Sequence, residues 1–158
     1  MLLRSNGNKA TQRWGTELIS LYCRFWDNLR VEPIVNDEIV VKIVHSLNYD
    51  FTQLKIPRIT VLTTALRISK FDREVLAFLA RHPDGTMLSI GCGLETRNVR
   101  LDDGRAEWYD LDFPDVIRER KKHFQESVRH RCLGISALDP AWINEIREKK
   151  PLSNFIPG

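Results

Sequence analysis

Between Gly91 and Asp112 the chain spaces its residue types in a way that suits one kind of chemistry, the seating of a nucleoside. Gly91-Cys92-Gly93 is a bare backbone bend, and Asp110 and Asp112 follow about 20 residues later. Glycine lets a ligand approach the backbone where a Cβ would collide. An acid at that separation lies at the end of the next strand, where it accepts hydrogen bonds from both ribose hydroxyls. A dinucleotide site wants G-x-G-x-x-G, and the third position here is Thr96. The close helix–strand packing that helps seat a pyrophosphate is then lost. S-adenosylmethionine (SAM) has no phosphates and does not need that glycine. The competing explanation is structural: a glycine turn between core strands, with Asp110 and Asp112 merely solvated.

The elements that must hold these residues are legible around them. Met87, Leu88 and Ile90 form a short apolar run, and the glycines stop it. Leu94 to Leu101 predicts a short helix. Asp102-Asp103-Gly104 is a turn signal, and Glu107 to Asp112 predicts a second strand. Strand, glycine turn, helix, strand is the opening of a doubly wound α/β fold, which binds ligands beyond the carboxyl ends of its strands. Cys92, between two glycines, reads as a small residue rather than a reactive thiol. Arg97 either lies near the cofactor or braces Asp112.

The stretch RHPDGTMLSIGCGLETRNVRLDDGRAEWYDLDFPDVIRERKKHF resembles the SAM-binding core of the leucine carboxyl methyltransferase family, and within it the tetracenomycin-type polyketide O-methyltransferases. GCGLETR and WYDLDFPDVI carry the resemblance, which extends from Leu18 to about Ile143. It implies a Rossmann-like SAM-dependent methyltransferase core, incomplete here, preceded by N-terminal helices that cover the active site. It implies SAM as cofactor, with S-adenosylhomocysteine as product. It also implies roles by position. In ALRISKFD, Arg67 would meet the methionine carboxylate, a task suited to the guanidinium fork. Ile68 departs from the threonine often found after that arginine. Gly91, Cys92 and Gly93 would line the cofactor and Asp110 and Asp112 would take the ribose. Asp139 would accept from the adenine amine while the backbone at Leu138 bonds the ring. Read without the resemblance, Arg67 is a surface arginine and Asp139 is a helix N-cap ahead of Pro140.

The rest of the chain supplies helices. Leu18, Leu21, Tyr22, Phe25 and Leu29, widened by Ile19 and Trp26, predict one over Thr16 to Arg30. Pro33 ends it. Asn36 or Asp37 caps the next, whose buried stripe is Ile39, Val40, Ile43, Val44 and Leu47. Asn48 to Pro57 reads as a loop anchored by Tyr49 and Phe51. Leu62, Leu66, Val75, Phe78 and Leu79 mark a third helix over Ile59 to Arg81, with a kink near Asp72. His82-Pro83-Asp84-Gly85 stops it. Pro114 opens a helix expected to run to Arg131, with Val116, Ile117, Phe124 and Val128 inward. Its many basic residues, Arg118 and Arg120 among them, read as a solvated face. Arg131 to Ile135 predicts a third strand, and Trp142, Ile143 and Ile146 a last helix. The expected organisation is a tail over 1–15, a helical region over 16–82, a partial SAM-binding core over 83–147 and a tail over 148–158.

Composition narrows the class. At 158 residues with 42% hydrophobic and 28% charged residues, the chain suits one ordinary globular domain. A net charge of +3 does not point to nucleic acid, and the basic run lacks an interleaved aromatic platform. No apolar run is long enough to span a membrane, and the N-terminus lacks a signal-peptide core. Three scattered cysteines fit a reducing cytoplasm better than a disulfide framework, and no Cys/His spacing implies zinc.

The expected activity is methyl transfer from SAM to a hydroxyl or carboxylate oxygen, of a small molecule or a protein. No catalytic residue can be assigned. Two other readings compete. About seven strands complete such a sheet and fewer can be traced, so a truncated non-catalytic relative, binding SAM or dimerising through an open edge strand, is one. An NAD-dependent oxidoreductase is the other, and Thr96 argues against it.

Overall fold

Apolar spacing of two types, helical and extended, alternates along the chain and fixes the order of its elements. The computed structural model describes residues 15–147, so the expected tails lie outside the described residues except for Gly15. In chain order the elements are α1 (Gly15–Asn28), α2 (Glu38–Ser46), a 3-10 turn (Phe51–Gln53), α3 (Arg58–Arg81), β1 (Thr86–Ile90), α4 (Arg97–Leu101), β2 (Glu107–Asp112), α5 (Pro114–Arg120), β3 (His130–Gly134) and α6 (Ala141–Arg147). They group into two units. One is helical and comprises the chain to Arg81 with Leu94–Leu101; the other holds the sheet, from His82–Gly93 and the chain from Asp102 on.

In the helical unit α1 packs on α2 and α3. Leu18 and Leu21 of α1 are buried, but Leu29 lies past the end of the helix and is exposed. Asp27 explains the turn that follows. Its buried carboxylate accepts the amides of Ile34 (3.0 Å) and Val35 (2.9 Å), groups that would otherwise need another acceptor. Asp37, rather than Asn36, caps α2 by accepting the Val40 amide at 3.2 Å. Val40, Ile43 and Val44 form its buried stripe. Helix α3 runs unbroken past Asp72. Its inward residues are Ala65, Ile68, Asp72 and Leu79, while Leu66, expected inside, is exposed.

Asp72 faces inward because the segment Glu95–Arg100 supplies its partners. Arg97 Nε donates to it at 2.8 Å, and Arg100 makes a very close contact with its other oxygen. Thr96 is fully buried. Its hydroxyl donates to Asp37 at 2.6 Å and accepts from Arg24 and Arg100, each at 3.0 Å. The residue standing at the third glycine position of a dinucleotide loop is therefore a hydrogen-bond hub. Burial alone would push the Glu95 carboxyl up, but Arg24, Arg97 and Arg100 outweigh it and hold it down at about 2.

In the sheet unit the three strands are parallel, in the order β1-β2-β3. Register aligns Ile90 with Leu111 and Asp112 with Gly134, so the carboxyl ends lie at one edge. Side chains alternate across β2. Tyr109 and Leu111 join Leu133 in one cluster, against which Leu88, Trp142 and Ile146 pack. On the other side Cys92, Cys132 and Ile117 of α5 form a second cluster. Helices thus cover both faces, and a β2 that is buried almost throughout is the result. This is the α/β arrangement expected. Helix α5 is much shorter than predicted, however. It ends at Arg120, and Val128, expected inside, is 86% exposed.

Thr96→Val keeps the shape of the hub and removes its hydroxyl. Buried polar groups left short of a partner cost about 1–3 kcal/mol, so urea denaturation is expected to show a loss of that size. An unchanged midpoint would remove the hub role.

Candidate functional site

At the carboxyl edge of the sheet the chain turns through Gly91 (φ 66°) and Gly93 (φ 48°), left-handed angles that favour glycine. A Cβ built on Gly91 would meet nothing within 4 Å, so this backbone faces open space. The amides of the turn are already engaged by acceptors of the chain itself. Gly91 and Cys92 both donate to the Leu111 carbonyl, at 2.8 and 3.2 Å, and Gly93 donates to Asp112 Oδ2 at 2.8 Å. Asp112 Oδ1 accepts the Phe113 amide at 2.8 Å. Each of its oxygens retains a second acceptor direction, and the residue is only half-buried. Three large apolar side chains stay exposed at or beyond the strand ends: Ile90 as the last residue of β1, Phe113 directly after β2 and Leu138 in the bend that follows β3.

Asp110 has a different setting from Asp112. It is 2% exposed, and its Oδ2 accepts from Arg120 Nε (3.1 Å), Arg120 Nη2 (2.6 Å) and His130 Nε2 (2.6 Å). Arg120 is fully buried, which overturns its reading as part of a solvated face. Its Nη1 donates to the Gly93 carbonyl at 3.1 Å, and its plane lies 4.1 Å over the Phe124 ring. The signal was available in the spacing, since Arg120 falls on one helical stripe with Val116, Ile117 and Phe124.

His130 has Asp110 at one ring nitrogen and the Gln125 carbonyl, 3.3 Å away, at the other. Both partners only accept, so the ring must donate from both nitrogens and carry a proton. Burial alone would lower its pKa, but the hydrogen bonds and charge interactions with Asp110 and Cys132 together outweigh this and push it up to about 9. Asp110, His130 and Cys132 are metal-ligand types with donor atoms within 4.8 Å of one another. The guanidinium on the same carboxylate and the protonated ring put positive charge where a cation would sit.

The remaining predicted residues fall as follows. Cys92 is buried against Ile117 and Cys132, and burial pushes its thiol well above the usual range. Cys23, Cys92 and Cys132 are all free thiols. Leu138 and Asp139 are exposed in the bend before α6. The Leu138 amide donates to Ser136 Oγ at a long 3.3 Å, and Asp139 Oδ1 caps α6 by accepting the Ala141 amide at 3.0 Å. Arg67 is exposed on α3, in the helical unit. Arg97 pairs with Asp72 and Asp112 with its neighbouring amides.

No protein-family model matches the chain. It is 31% identical, over 137 residues and 86% of its length, to the tetracenomycin polyketide synthesis O-methyltransferase TcmP of Streptomyces glaucescens. The chain is related to the tetracenomycin-type O-methyltransferases. A second relative is the S-adenosyl-L-methionine-dependent methyltransferase dpfgK of Gibberella zeae, 27% identical over 147 residues, or 82% of this chain. The chain spans about half the length of the curated relatives it matches, 51% of the first and 48% of the second. Among the described residues no helix is long and apolar enough to cross a membrane.

Two measurements probe the buried cluster beside this turn. Arg120→Met leaves the Asp110 charge without its main partner, and uncompensated buried charges cost about 3–5 kcal/mol; denaturation is expected to show a loss in that range. A loss under about 1 kcal/mol would make the pair incidental. The second test is pH. The folded His130 pKa of about 9 exceeds its ordinary 6.5, so the native state binds more protons than the unfolded chain between those values. The contribution is complete below about 6.5 and is lost as pH rises through 9. His130→Gln is expected to flatten the fall in thermal midpoint across that window.

Proposed function

We propose that this chain carries the SAM-binding part of an O-methyltransferase of the leucine carboxyl methyltransferase type. The observation that supports this reading most is the engagement of the turn amides. Pyrophosphate recognition needs free backbone N–H groups and a helix N-terminus at the glycine loop. Here the amides of Gly91 and Cys92 are already donated to the Leu111 carbonyl and that of Gly93 to Asp112, and α4 begins only at Arg97. A nucleoside without phosphates asks for neither. That removes the main attraction of the nicotinamide reading.

The residues fit an adenosyl group. The open backbone at Gly91 admits the ligand, and Asp112 offers the spare acceptor positions that two ribose hydroxyls require. Asp110, held by Arg120 and His130, takes a supporting role: through Arg120 it fixes the Gly93 carbonyl and hence the turn. Asp139 has its second carboxylate oxygen for the adenine amine, with Leu138 beside it, and Ile90 and Phe113 give apolar surface for the rings. Arg67 is proposed for the methionine carboxylate on its sequence pattern and its exposed guanidinium.

Bound SAM supplies a methyl group already activated by its sulfonium. This chain's residues hold and orient the donor, and alignment with exclusion of water is the main protein contribution to such a displacement. The acceptor is proposed to be a hydroxyl or carboxylate oxygen, and a carboxylate would need no general base.

Calorimetric titration with SAM, S-adenosylhomocysteine and NAD tests the reading, with binding expected for the first two only. Asp112→Ala is expected to weaken S-adenosylhomocysteine by about 1–3 kcal/mol, the cost of stranding hydrogen-bonded hydroxyls. NAD binding, or an Asp112→Ala variant with full affinity, counts against the assignment.

A further inference from the structure

The two edges of the sheet are finished differently. At β3 the Arg129 carbonyl accepts the Trp108 amide at 2.6 Å, so strand alternation turns the backbone groups of His130 and Cys132 away from β2. Those groups are taken. The His130 amide donates to Ser127 Oγ at 3.0 Å, its carbonyl accepts the Ser127 amide at 2.8 Å, and the Cys132 amide donates to Glu126 Oε1 at 2.9 Å. A turn and a carboxylate close that edge.

The outer edge of β1 has no such cover. The Gly85 carbonyl accepts the Glu107 amide at 3.0 Å, and the Gly91 amide donates to Leu111 at 2.8 Å. Met87 and Ser89, in step between them, also address β2, so Leu88 and Ile90 turn their amides and carbonyls outward. No hydrogen bond among the described residues reaches these outward groups. The strand, Thr86–Ile90, contains neither charge nor proline, the usual means of blunting an edge. Leu88 is half-buried and Ile90 is 59% exposed.

We propose that two copies of this chain pair antiparallel through β1, about a two-fold axis at Ser89. The edge is self-complementary in that register. Leu88 of each copy lies opposite Ile90 of the other, and each such pair exchanges both of its hydrogen bonds. The exposed Ile90 side chain gains an apolar neighbour, because Leu88 and Ile90 share a face of the sheet. Leu88 already packs on the Tyr109, Leu111 and Leu133 cluster, so the clusters of the two copies become continuous. With β3 closed, assembly stops at two copies instead of growing into a fibre. The pairing needs no methyl donor and stands independently of the SAM reading.

Sedimentation of the full chain from micromolar to near-millimolar concentration tests the proposal, with a reversible step from one copy to two expected. Ile90→Pro removes an outward donor and leaves the ladder to β2 intact; it is expected to raise the dissociation constant at least about tenfold. Ser89→Cys reads the register. Facing residues of a non-hydrogen-bonded pair have Cα atoms about 4.5 Å apart, within disulfide reach, so mild oxidation is expected to link two chains. Met87→Cys would lie about 13 Å along the strand from its mate and is expected to stay unlinked. The unaltered chain, whose three cysteines are buried, is the blank. A chain that stays single at every concentration, assembly beyond two copies, undiminished association of Ile90→Pro, or linking at Met87→Cys equal to that at Ser89→Cys would overturn the proposal. Should Ile90→Pro fail to fold by circular dichroism, Ile90→Lys, a change at an exposed side chain, takes its place with the same expected weakening.

Discussion

Everything at the carboxyl edge of the sheet depends on one buried guanidinium. Arg120 is removed from water, and such a cation is tolerated only when its donors are met. Two of them reach Asp110, a third reaches the Gly93 carbonyl, and the ring of Phe124 lies against its plane. The constraint passes along the backbone. With its carbonyl fixed, Gly93 presents its amide to Asp112, and that hydrogen bond orients the carboxylate at the strand end. Asp110 is therefore not a spare copy of Asp112. One acid of the pair is structural support and the other is available.

The segment after the turn follows the same logic in the helical unit. Leu94–Leu101 brings Glu95, Thr96, Arg97 and Arg100 to Arg24, Asp37 and Asp72, and nearly every charge finds an opposite one. Threonine where a dinucleotide loop has glycine is informative in this light. A glycine there allows two backbones to approach closely; the hydroxyl here instead links a helix cap, Asp37, to two arginines. The position has been given to polar connection, not to proximity.

How much was legible follows from what each residue type can conceal. The strands and the α1, α2 and α3 helices were readable because apolar spacing repeats over many residues and ends at Asp, Pro or Gly. The paired glycines and the acid at Asp112 were readable because their geometry is local to a strand end. Buried charge was not. Arg120, Arg24 and Asp72 look like surface residues by type, and only their partners, distant in sequence, take them inside. Their position on apolar stripes was the available clue: Arg24 follows Leu21 by three residues, and Arg120 lies between Ile117 and Phe124. The overlong helix after Pro114 has the same root, since alternating charges to Arg131 look helical while the chain in fact turns after Arg120 to start β3 at His130.

One feature of the connectivity bears on how this protein could be re-engineered. The α4 crossover between β1 and β2 belongs with the helices, not with the strands it joins. No single cut point in the linear chain therefore separates the two units. A chimera that exchanged only the residues before His82 would import foreign helices beneath a native crossover and leave Thr96, Arg97 and Arg100 facing strangers. Recombination that respects the packing must transplant both stretches at once.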